Sequence, residues 1–158
     1  MPIRLLKGFF YTKEQIPMND FISVIEDLIQ LFQELIYIEQ SKLEAAAKNR
    51  ITHVEDCMNR EQAAILKLRG LDKKRETCQE QLGCKDYTFQ QILSKTSGAE
   101  HNQLKKLFDS LTHHVRQFQE INESARSMIE INLHMINKEI NNSQDVITTD
   151  KAKWEGLL

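Results

Sequence analysis

From Phe21 to Leu43 the apolar residues fall into four classes of a seven-residue register: Phe21, Leu28 and Leu35; Ile22, Ile29, Ile36 and Leu43; Val24, Leu31 and Ile38; and Ile25 with Phe32. At about 100° per residue these classes cover an arc of roughly 160° on a helix. Ser23, Glu26, Asp27, Gln30, Gln33, Glu34 and Gln40 occupy the opposite side. A two-stranded seam is narrower than this arc, so one partner helix cannot cover it and two can. Tyr37, the one large ring on the polar side, reads as an ordinary exposed aromatic.

Two further helices supply those partners. Pro17 closes an N-terminal extension, 1–18, and Asn19 or Asp20 is a candidate cap for a first helix over 20–48. Asn49-Arg50-Ile51 breaks the pattern, and Thr52 with Glu55 has capping-box spacing, so a second helix is expected over 52–82. Its seam runs Val54, Cys57, Glu61, Ala64, Leu68, Leu71, Arg75, Cys78 and Leu82 in alternating steps of three and four, with Met58 and Ile65 widening it. Glu61 and Arg75 are expected to reach solvent along their aliphatic stems, and Gly83 ends the helix.

A short helix over 86–94 offers Tyr87, Phe89, Ile92 and Leu93 to cover one end, and 95–98 is a loop. The third long helix, 99–142, carries Leu104, Phe108, Leu111, Val115, Phe118, Asn122, Ala125 and Ile129, beside a parallel stripe of Leu107, His114, Ile121, Met128 and Met135. After Ile129 the stripe shifts to Leu133, Ile136 and Ile140, a stutter that loosens a left-handed supercoil. Asn122 is either a register-fixing seam amide or an edge residue. The polar stretch 143–158, with Trp154, Leu157 and Leu158 isolated, is expected to be a flexible tail.

With only 2 prolines and 5 glycines in 158 residues, the chain predicts a single all-α domain: an antiparallel three-helix coiled-coil bundle with a long third helix and a short connecting helix. Phe21, Ile25, Leu28, Phe32, Leu35, Leu68, Leu71, Phe108, Leu111, Val115 and Phe118 form the expected core. The first two helices have about 30 residues, or about 45 Å, whereas the third has about 44 and reaches about 66 Å. If it runs beside the first, its last turns project past the Asn49 turn. Met128, Ile129, Ile131, Leu133, Met135, Ile136 and Ile140 are therefore the candidate partner-binding residues, because exposed apolar helix surface needs cover. The thioethers suit a surface that adapts to a partner. Residues 1–18 or a second copy of the chain, giving a homodimer, are the other covers the pattern allows.

Signs of catalysis are missing from the sequence. It has no Gly-rich phosphate loop, no G-x-S-x-G and no H-E-x-x-H, and Arg50, Gly98, Ser110, Leu111 and Ile131 stand three residues before the histidines where a bundle di-iron site needs Glu. Adjacent His113 and His114 diverge by about 100° on a helix. No catalytic residue, metal ligand or cofactor is expected. The net charge of −2 offers no general attraction to nucleic acid, and the cluster of Lys67, Arg69, Lys73, Lys74 and Arg75 lacks interleaved aromatics and reads as a solvated face. The three cysteines form no C-x-x-C pair, which with no signal peptide and no spanning apolar run favours a reduced, cytoplasmic setting without membrane insertion.

The stretches Leu28–Leu43 (LIQLFQELIYIEQSKL), Asn49–Asp56 (NRITHVED), Asn59–Leu66 (NREQAAIL) and Ile121–Leu133 (INESARSMIEINL) carry a resemblance to the FlgN-like family of flagellar export chaperones over roughly 20–140. The resemblance implies a bacterial cytoplasmic protein that binds the C-terminal helical region of hook-associated, hook–filament junction proteins. It further implies that the chain prevents their premature assembly and delivers them to the type III export apparatus. Such binding is helix-in-groove recognition. A self-associating structural coiled-coil protein is the alternative.

Overall fold

A computed structural model of the protein describes residues 15–132 and 153–158. Within 15–132 four helices follow in order: α1 (Gln15–Ala47), α2 (Ile51–Gln81), α3 (Phe89–Ser94) and α4 (Gly98–Asn132). α1 packs against both α2 and α4, as its broad apolar arc requires. The bundle runs up, down and up. Lys42 on α1 pairs with Glu61 on α2, and Glu34 lies 4.0 Å from Lys67, so these helices are antiparallel. Phe21 meets Phe108 at 6.0 Å and Phe32 meets Phe118 at 5.8 Å, so α4 lies parallel to α1.

The reversal after α1 is made by Asn49, whose φ of 54° is tolerated by an asparagine. Arg50 N–H donates to Ala45 O at 2.9 Å and Asn49 N–H to Ala46 O at 3.1 Å, which satisfies the last carbonyls of α1 in a Schellman arrangement. Gly83, at φ 71°, repeats the device after α2, with Cys84 N–H donating to Gln79 O at 2.7 Å. Two expected caps are not used. α1 extends back through Pro17, close to its start as described, where a missing N–H costs little. α2 starts at Ile51 after Arg50 with no side-chain cap, so Thr52 and Glu55 make no capping box there. The capping box is at α3, where Gln91 N–H donates to Thr88 Oγ1 and Thr88 N–H donates to Gln91 Oε1.

α3 closes one end of the bundle as its apolar residues predict. Phe89, Ile92 and Leu93 are buried, and the Phe89 ring stacks on Phe108 with centroids 4.2 Å apart and planes 3° from parallel. Burying a side chain of this size contributes about 1.5–3 kcal/mol. Of the expected core residues all are buried except Leu71, which is half-buried at the edge of the same cluster.

The tail differs from its expectation. Residues 143–152 lie outside the described residues, but 153–157 are helical and pack onto the bundle. Trp154 is only 3% exposed, and Leu157 and Leu158 lie against the main core. The polar composition upstream conceals that Trp154, Leu157 and Leu158 have the i, i+3, i+4 spacing of an apolar helix face.

Candidate functional site

The core is divided by a polar layer. Below it lies the main apolar cluster; above it Ala45, Ala46, Val54, Met58 and Ile129 form a small second cluster at the Asn49 end. Between them sit Glu39, Lys42 and Glu61, each 0% exposed, with Asn122 also buried. Glu39 and Lys42 continue the register classes of Ile25-Phe32 and of Phe21-Leu28-Leu35, so the helix delivers them to the interior. Lys42 Nζ lies 3.0 Å from Glu39 Oε1 and also pairs with Glu61.

Two carboxylates face one ammonium in this layer. Burial first, and then hydrogen bonding with Glu39, pushes the Glu61 carboxyl up to about 9. Burial alone lowers Lys42, yet Glu39 and Glu61 outweigh it and hold its ammonium above the ordinary 10.5. Glu39 Oε2 and Glu61 Oε1 have no other hydrogen-bond donor; a proton kept on Glu61 supplies one and leaves the trio neutral. Glu61 therefore does not reach solvent as expected of it, because Lys42 on the facing helix makes burial tolerable. Arg75 is buried as well, held by partners on its own helix: its Nε donates to Asp72 Oδ1 at 2.9 Å and its Nη1 to Gln79 Oε1.

The expected partner-binding residues separate. Ile131 is 69% exposed on the last described turn of α4, and Ile51, at the same end of the bundle, is also exposed. Met128 is half-buried against the second cluster, and Ile129 is 2% exposed within it. Ile129 thus serves the chain's own core, since it lies on the seam of Leu111, Val115 and Asn122 and not on the outer stripe. Leu133, Met135, Ile136 and Ile140 lie outside the described residues, as does the expected projection of α4 past the Asn49 turn.

A second surface, absent from the sequence reading, lies where the C-terminal turn meets α1 and α2. Trp154 and Phe32 meet in a T-shaped contact, centroids 5.1 Å apart at 89°, and Phe32 makes a second T-shaped contact with Phe118. Lys153 pairs with Asp72 and lies 3.2 Å from Glu76 Oε1. The spacing of Trp154, Leu157 and Leu158 was the available signal, too short to register as a helix.

The remaining polar side chains do not converge. Among the described residues no group of His, Cys, Asp and Glu could hold a metal ion, and no helix is long and apolar enough to cross a membrane. Cys57, Cys78 and Cys84 are buried free thiols, and burial raises the first two above their usual range. The basic cluster is broken by the burial of Arg75 and by the approach of Lys67 to Glu34.

A protein-family model described as FlgN protein matches residues 18–152. No curated protein and no solved structure matches the chain.

Proposed function

The chain belongs to the FlgN family of flagellar export chaperones, and from that membership we propose that it binds the C-terminal helical region of hook-associated proteins in the cytoplasm. It keeps them from assembling early and passes them to the export apparatus, and it does so by binding alone, without catalysis. The observation that carries the binding mode is Ile131, a large aliphatic residue left 69% exposed on the last described turn of α4. With Ile51 beside that end and Met128 half-buried below it, a client helix laying its apolar face there removes apolar surface from water, at about 25 cal/mol per Å². Leu133, Met135, Ile136 and Ile140 follow Asn132 in the sequence and are proposed as further client contacts.

The test is titration of the chain with C-terminal regions of hook-associated proteins, comparing wild type with Ile131→Asp and Ile136→Asp. Saturable binding weakened by either substitution is the expected result. Absence of binding, together with a stable oligomer in sedimentation, favours the self-associating coiled coil instead.

A further inference from the structure

One face of the α1–α2 hairpin is an open groove. Two shallow cavities, of about 570 and 470 Å³, follow each other along it and share Asp27, Gly70 and Lys74, with Val24, Leu31 and Leu71 at their floor. Phe21 and Phe32, which meet α4, lie on other stripes of α1, so the groove is turned away from α4. Tyr37 continues the seven-residue stripe of Ser23 and Gln30, and Leu66 stands four residues before Gly70 and seven before Lys73. Both therefore flank the groove, and they are 65% and 67% exposed. One such side chain needs no explanation, but two on one face make a patch.

Gly70 lies in the interior of α2, where glycine weakens a helix. Beyond its own helix, nothing among the described residues comes within 4 Å of a Cβ built there. Packing within the hairpin does not require this glycine, whereas close approach from outside does. The charges are ordered too. Asp20, Asp27 and Glu34 recur every seven residues on α1, and Lys67 and Lys74 do so on α2. The pairs Lys42–Glu61 and Glu34–Lys67 fix the levels of the two antiparallel helices. On that scale Ser23 is level with Thr77, Asp27 with Lys74, Gln30 with Gly70 and Tyr37 with Leu66.

We infer that this face joins two copies of the chain in a symmetric dimer, α1 of each lying on α2 of the other. A twofold axis parallel to the helices exchanges α1 and α2 across the interface and keeps every level. Asp27 and Glu34 then meet Lys74 and Lys67 of the second copy, Tyr37 meets its Leu66, and Gln30 fills the space over its Gly70. An axis across the helices instead sets α1 on α1, with acid against acid, so the charges select the first pairing. The groove is about 26 Å long and two helices are about 20 Å wide, which covers roughly 500 Å² per copy. The total, about 1,000 Å², is at the lower limit for a specific interface, so the dimer dissociates on dilution. This surface is separate from the end of α4 and does not rest on the client reading.

Sedimentation equilibrium of the full chain from about 1 to 100 μM should show twice the chain mass falling to one on dilution. Gly70→Gln fills the notch with a better helix former, so it should raise the thermal midpoint of the monomer and abolish the dimer. Asp27→Lys faces Lys74 of the second copy and should weaken association about tenfold. Adding Lys74→Glu to Asp27→Lys in the same chain should restore it, and circular dichroism melting of each variant separates a lost contact from a lost fold. The dimer is refuted if the chain stays monomeric throughout, if association is unchanged in Gly70→Gln or in Asp27→Lys, or if the double variant recovers nothing. Hook-associated regions titrated against Gly70→Gln should bind as they bind wild type; binding lost there gives the groove to the client and overturns its assignment to a second copy. If no such region binds wild type while the dimer behaves as described, the proposed client falls and the dimer stands.

Discussion

Lys42 Nζ lies 3.0 Å from Glu39 Oε1 at a depth where neither side chain touches solvent, and the same ammonium pairs with Glu61 across the α1–α2 interface. One cation and two carboxyl groups thus make a layer between the two apolar clusters. The layer is neutral only while one carboxyl keeps its proton.

That proton makes stability depend on pH. Glu61 ionises at its ordinary 4.5 in the unfolded chain and at about 9 in the bundle, so folding takes up a proton between these values. The contribution of Glu61 is complete below 4.5, falls by up to about 1.4 kcal/mol per pH unit as pH rises, and is gone above 9. Lys42, raised above 10.5, keeps its charge throughout this window and loses its contribution only above it. Urea unfolding across the window should show the decline in wild type and a flatter profile in Glu61→Gln. Parallel profiles refute the assignment.

Removing the cation alone should be severe. Lys42→Met leaves Glu39 and Glu61 buried without a counter-charge, at about 3–5 kcal/mol. Replacing all three together, Glu39→Leu, Lys42→Met and Glu61→Leu, should recover most of that loss because no buried charge remains. Chemical denaturation of the single and triple variants decides; a triple variant no more stable than the single one contradicts the account.

The stacked pair at the other end carries the closure by α3. Phe108→Ala removes contacts with both Phe89 and Phe21 and should cost about 3–5 kcal/mol. A double-mutant cycle with Phe89→Ala should return a coupling of about 0.5–1.5 kcal/mol. Coupling near zero places α3 on the bundle by its aliphatic residues alone.

Gly83 tests the turn after α2. No atom lies within 4 Å of a Cβ built there, so the penalty of Gly83→Ala is purely the positive φ of 71°, about 1–2 kcal/mol. Asn49→Gly, at the corresponding position after α1, should be neutral or slightly stabilising in thermal unfolding. A loss at Asn49 as large as that at Gly83 counts against the shared backbone device.

Much of this architecture is legible along the chain. Phe21, Leu28 and Leu35 with their neighbouring classes span too wide an arc for one partner, and the chain supplies two helices to cover it. Phe89, Ile92 and Leu93 mark the closing element by their spacing alone. The polar layer was half legible. Glu61 and Arg75 visibly lie on the seam, and Glu39 and Lys42 fall on the stripes of Phe32 and Leu35, but periodicity taken one helix at a time sends a charge on a seam outward along its stem.

Local pattern, then, determines the helices, their apolar faces and the turns at Asn49 and Gly83, because these depend on residues within a few positions of one another. Only the tertiary structure decides which polar residues on those faces stay inside. Lys42 and Glu61 remain because they pair across the helix interface while a proton kept on Glu61 leaves their layer neutral, and Asp72 because Arg75 and Lys153 converge on it. Ile129 withdraws into the second cluster while Ile131, two residues on, is left outside. The free energy of a buried charge or an exposed isoleucine is set by what lies opposite it, and one helix read in isolation contains no opposite side.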